Sequence, residues 1–196
     1  MRLRYKVYLA TALLIVVGAV VVWRLYPKPT VYRTDFELGF DVWTEDADLP
    51  QDPNEPGSSV AWHVSRVAST AHSGQYSAEM YIDGRQDDGT VWIEKRVPVE
   101  SDRQVRVEVS FAFYSEQESF NVVAGVCAYV GTSNPTVEAD FMVIGNANEV
   151  AGWKRYSHAA TFQTGSSEQA WVAVGITVRW ETEMTYNFDD IEIVVT

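Results

Sequence analysis

The residues able to do chemistry in this 196-residue chain are chiefly oxygen acids: 27 Asp and Glu stand against three histidines and one cysteine. Carboxylates bind hard cations, and two of them at the right separation can cleave a glycosidic bond. No spacing marks either use. Asp83, Asp87 and Asp88 cluster, but their intervals do not match an EF-hand loop, and they read as a turn. The lone Cys127 excludes an intrachain disulfide framework and a cysteine-based zinc site. Within Val122-Val-Ala-Gly-Val-Cys-Ala-Tyr-Val130 it reads as a small buried apolar residue. A catalytic thiol would want a histidine partner, and His63, His72 and His158 show no family spacing with it. There is no Ser/His/Asp set, histidine cluster or glycine-rich phosphate loop. No catalytic residue is assigned, and the chain reads as a non-enzyme.

Charge is unevenly placed. Residues 1–29 carry Arg2, Arg4, Lys6, Arg24 and Lys28 without an acid, so the remainder holds a net −17 against −12 for the whole chain. A region that acidic repels phosphate backbones, which argues against nucleic acid as a partner. Its acidity fits cation binding, a saline exterior, or plain solubility.

Residues 7–23 are uncharged and dominated by Val, Leu, Ile and Ala. As a helix they would reach about 26 Å, near the lower limit for crossing a bilayer. Lys6 and Arg24 can snorkel at the two ends, and Tyr8, Trp23 and Tyr26 sit where interfacial aromatics belong. The small residues Val17-Gly18-Ala19 offer a signal-peptide cleavage site, but the apolar run continues past them, which favours an uncleaved anchor. Basic residues flank both sides almost equally, and the short N-terminal tail tips the expected orientation to N-inside. Residues 30–196 would then lie outside the cytoplasm, behind a stiff Pro27-Lys-Pro29 stem.

Beyond residue 30 the hydrophobic period is two. Val105, Val107, Val109, Phe111 and Phe113 share one face of a strand, and Val172, Val174, Ile176 and Val178 share one face of another. Further strands are expected at 31–38, 60–67, 76–82, 90–98, 121–130, 137–144, 153–163 and 186–195. Ten strands with Gly, Asn, Asp and Ser turns and no crossover helices predict an all-β, two-layer antiparallel sandwich. The stretch 41–59, with Pro50, Pro53, Pro56 and six acids, reads as a long solvated loop.

Five fragments in order carry a resemblance. They are Asp35-Phe-Glu37 with Gly39-Phe-Asp-Val-Trp43, Trp62-His-Val, Ala71-His-Ser-Gly-Gln-Tyr-Ser77, Gly152-Trp-Lys-Arg-Tyr156, and Tyr186-Asn-Phe-Asp-Asp-Ile-Glu-Ile193. Together, across 33–196, they resemble the galactose-binding-like jelly roll of carbohydrate-binding modules and, more distantly, MAM domains. MAM domains normally carry disulfides, which this chain lacks, so the carbohydrate-binding side fits better. The resemblance implies a jelly-roll β-sandwich with a structural calcium ion where the first and last strands meet. Its implied ligands are Glu37, with Asp35 as second choice, backbone oxygens near His72 and Ser73, and Asp189.

The resemblance also implies a binding role with a glycan as partner, which the apolar span of residues 7–23 would make membrane-anchored and extracytoplasmic. A sugar presents flat C–H patches to aromatic rings, so strand parity nominates Trp92 (with Glu94 and Arg96), Tyr114 and Trp171 as outward-facing ligand residues. Tyr129 is ambiguous, because its strand is small and apolar on both faces. The competing reading is a non-catalytic structural or protein-interaction subunit of a membrane or cell-surface complex.

Overall fold

A computed structural model describes residues 28–196; the expected anchor and its stem up to Pro27 lie outside the described residues. The strands are β1 Thr30–Thr34, β2 Thr44–Asp48, β3 Trp62–Val67, β4 Ser77–Asp83, β5 Thr90–Pro98, β6 Gln104–Ser115, β7 Ala124–Gly131, β8 Met142–Asn146, β9 Gly152–Gln163, β10 Gln169–Val178 and β11 Glu183–Val195. One sheet runs β3-β4-β11-β6-β9, with β1 also paired to β11; the other runs β2-β5-β10-β7-β8. The mapped pairings are antiparallel. The architecture is a two-sheet antiparallel β-sandwich, as the period of two predicts. A single 3-10 turn, Glu138–Asp140, is the only helical element among the described residues. None of the described helices is long and apolar enough to cross a membrane.

The predicted alternation fills the core. Val105, Val107, Val109, Phe111 and Phe113 of β6 are buried against Val172, Val174, Ile176 and Val178 of β10. Each such side chain removed from water contributes about 1.5–3 kcal/mol. Phe188 of β11 is the hinge of an aromatic cluster, with ring centres 5.3 Å from Phe111 and 5.0 Å from Phe113.

Three expectations need correction. The stretch 41–59 is not all loop: Thr44–Asp48 pairs with β5 as an edge strand, because Ala47 and Trp43 have an apolar core to pack on despite the acids around them. The strand expected at 137–144 starts only at Met142, since the 3-10 turn interrupts it. The first strand ends at Thr34, where Phe36 takes a positive φ of 59° and turns the chain. Leu38 is fully exposed as a result, while Phe36 remains in the core.

The centre of the five-stranded sheet tolerates little. Gly175 pairs with Trp92 on one side and Cys127 on the other. A methyl group there would collide with the Val91 carbonyl oxygen and come within 2.7 Å of the Trp92 Cβ. Because backbone cannot yield as a flexible side chain can, Gly175→Ala is expected to cost about 1–3 kcal/mol. The check is a lower urea midpoint at an unchanged denaturant slope.

Candidate functional site

The outer face of the five-stranded sheet follows from register. Trp171 on β10 pairs with Gly131 on β7 and Arg96 on β5; two residues on, Ala173 pairs with Tyr129 and Glu94. Trp171 and Tyr129 are therefore diagonal neighbours on one face, and the other corners hold only Gly131 and Ala173. With small residues between them, both rings stay half-exposed. The Arg96 guanidinium carbon lies 5.5 Å from the Trp171 ring centre, within cation–π range. Glu94, only 5% exposed, accepts a hydrogen bond from Trp92 Nε1 at 2.8 Å. The Tyr129 hydroxyl lies 3.2 Å from Ser133 Oγ. Two rings and a guanidinium thus share one patch, able to stack on an apolar face and hydrogen-bond polar groups beside it, with the Glu94 carboxylate enclosed beneath.

Trp92 is not an exposed platform residue, contrary to the expectation from parity. It does point to the outer face, but residues 132–141 cross that face and bury it completely, at 0% exposure. Phe141 packs on it with ring centres 4.9 Å apart. Glu138 pins this strap: its carboxylate accepts from Thr90 Oγ1 and Arg179 Nη1, each at 2.9 Å, and its N–H donates to Asp48 Oδ2 at 2.9 Å. Burial pushes the Glu138 pKa up, but the bonds from Thr177, Thr90 and Arg179 outweigh it and hold the group below its ordinary range.

Tyr114 is half-exposed as well, but on the outer face of the other sheet. There its ring lies 5.3 Å from Trp153, which lies 5.3 Å from His72. The sandwich therefore separates Tyr114 from Trp171, and the nominated trio does not form one site. Tyr129, Arg96 and Glu94 complete the patch around Trp171 instead. Pairing register would have joined them, but register is not readable from one strand at a time.

Cys127 is buried under the same strap-covered region, and burial pushes its thiol well above the ordinary range, as suits a packing residue.

The residues implied for calcium do meet around the turn 72–76. Asp189, fully buried, accepts N–H bonds from His72 and Ser73 on Oδ2 at 2.8 and 3.0 Å and from Asp190 on Oδ1 at 2.7 Å. Glu37 Oε1 accepts those of Gln75 and Tyr76 at 2.7 and 2.8 Å. Asp35 is exposed and accepts from the Glu37 N–H at 3.1 Å.

The burial of Glu94 raises its pKa, offset in part by hydrogen bonds from Trp92 and Asn134, with Asp46 nearby adding to the rise. A carboxyl whose folded pKa lies above its unfolded value binds more protons when folded, so its ionisation weakens the fold as pH climbs between the two. Glu94→Gln keeps an acceptor for Trp92 and removes this loss. The variant should match the parent in thermal stability at pH values below the ordinary carboxyl range and melt higher at pH 7, read by calorimetry across that range.

No family model matches this sequence, and no curated protein matches it. Solved structures do. The CBM22-1 xylan-binding domain from Paenibacillus barcinonensis is 14% identical with a TM-score of 0.50, the match covering 84% of this chain and 92% of that one. TmCBM61, solved in complex with β-1,4-galactotriose, is 15% identical with a TM-score of 0.47, over 81% of this chain and 92% of that one. Residues 31–195, with two antiparallel sheets closing on one core, share the fold of that xylan-binding domain.

Proposed function

We propose that this chain is a non-catalytic glycan-binding module, anchored in a membrane by residues 7–23 and held outside the cytoplasm. One observation carries the reading: Trp171 and Tyr129 stand half-exposed on one sheet face beside Arg96 and the enclosed carboxylate of Glu94. Sugar C–H faces stack on such rings, while the exposed Arg96 guanidinium takes the hydroxyls. The fold it shares with a xylan-binding domain agrees with this class of ligand without choosing the sugar.

A glycan array tests the reading directly. Trp171→Ala and Tyr129→Ala are each expected to weaken binding about tenfold, or about 1.4 kcal/mol. Tyr114→Ala, an equal truncation on the opposite sheet, should leave it unchanged. An array without hits, or equal losses from all three variants, would overturn the site. In that case the protein-interaction reading gains from a second surface. Phe120, Val122 and Trp180 are exposed on two loops tied by the Arg179 N–H to the Val123 carbonyl at 3.0 Å, and clustered exposed apolar groups mark docking surfaces.

Topology has its own test. Protease added to intact cells should digest residues 30–196 and leave a short membrane-bound fragment. Complete protection would place the domain on the cytoplasmic side.

A further inference from the structure

The turn at residues 72–76 is where a calcium ion is implied, yet the groups that converge there are the wrong ones for a cation. Calcium takes six to eight oxygens at about 2.3–2.6 Å, with carbonyl oxygens turned toward it. Here it is N–H groups that turn inward. Four of them, from His72, Ser73, Gln75 and Tyr76, point at Asp189 and Glu37 over 2.7–3.0 Å. The lone pairs of Glu37 Oε1 and Asp189 Oδ2 are each engaged by two donors and are not free for a metal, and those donors carry positive partial charge toward the place an ion would take.

A second observation is independent of the first. The carbonyl oxygens of Phe36 and Glu37, which could otherwise serve a cation, are taken by the Arg66 guanidinium at 2.5 and 2.7 Å. That guanidinium lies over the Tyr76 ring at 3.2 Å, so a fixed positive charge already stands beside the turn. Gly74 completes the fit. Its φ is 61°, and a methyl there would run into the Glu37 carboxylate, with Cδ at 2.6 Å. Outside the turn, Asp190 holds the His72 ring at 2.6 Å and the Ser73 hydroxyl at 2.7 Å. Among the described residues no group of three or more His, Cys, Asp or Glu could hold a metal ion.

We infer that Glu37 and Asp189 are a metal-free latch: two carboxylates and one guanidinium close the 72–76 turn onto the β1 and β11 ends in place of calcium. The residues as placed do not fit the ion. This inference is independent of glycan binding.

The test is a thermal melt of the full chain in detergent, in 1 mM calcium and in chelator, with hydrogen exchange followed over residues 70–77. The two midpoints should agree within 1 °C and the turn should be equally protected in both. A structural ion present at a hundred times its dissociation constant would instead raise the midpoint by roughly 5–10 °C, and that result would overturn the latch. Glu37→Gln separates the roles further. It keeps an acceptor for the Gln75 and Tyr76 N–H groups but discards the charge, so turn protection should persist; Glu37→Ala should lose it at least tenfold. Loss of protection in Glu37→Gln equal to that in Glu37→Ala would also count against the latch.

Discussion

Both faces of β5 and β10 are buried along most of their length, although only one of those faces belongs to the core. The second is covered by residues 132–141, and much of the molecule's surface chemistry depends on that covering. Where the strap lies, Trp92, Thr90, Cys127 and Thr177 are sealed against Phe141 and Glu138. Where it stops, Trp171, Tyr129 and Arg96 face solvent. A flat sheet offers a ligand no edge to lean on, whereas the end of the strap makes a step, with Ser133 against Tyr129 and Asn134 against Glu94. The candidate site is the part of the sheet that the strap leaves open.

Much of the acidity of residues 30–196 has an internal use. Glu37, Asp189 and Glu138 accept backbone or hydroxyl hydrogens, and Asp41 is paired with the buried Lys95 at 2.8 Å, which holds its pKa below the usual range. Asp41, Asp87, Asp102 and Asp190 occupy positive-φ positions, where aspartate is among the few side chains that fit a left-handed turn. A carboxylate that receives N–H bonds stabilises a turn by satisfying donors that a sheet cannot reach. The acids that look from composition like a cation trap are therefore in part turn residues and in part locks.

How much was legible in the chain differs from residue to residue. The alternation of β6 and β10 is a local property, since each residue's side follows from its neighbour's, and it identified both inner faces. Alternation also turned Trp92 and Trp171 outward correctly. It missed β2, because Thr44–Asp48 is mostly polar and becomes a strand through hydrogen bonds to β5. The ordered fragments around Glu37, His72 and Asp189 come to the same turn, where Asp189 receives the His72 N–H and Glu37 that of Gln75.

What covers an outward face, and which outward faces lie on the same side of a sandwich, are facts about segments far apart in sequence. Trp92 and Trp171 have equivalent local patterns, yet one lies beneath a strap some 50 residues away and the other does not. Tyr114 and Trp171 share a pattern too, but their strands belong to different sheets. Likewise the sequence places two acids beside one turn, and only the tertiary structure decides that the turn offers them N–H groups. That choice depends on the backbone dihedrals at Gly74, Phe36 and Asp190, which no residue type dictates by itself. Residue order alone thus determined an acidic two-layer β-sandwich. Packing between distant segments decided which of its rings and carboxylates stay available, because burial and hydrogen-bond direction are properties of a neighbourhood and not of a residue.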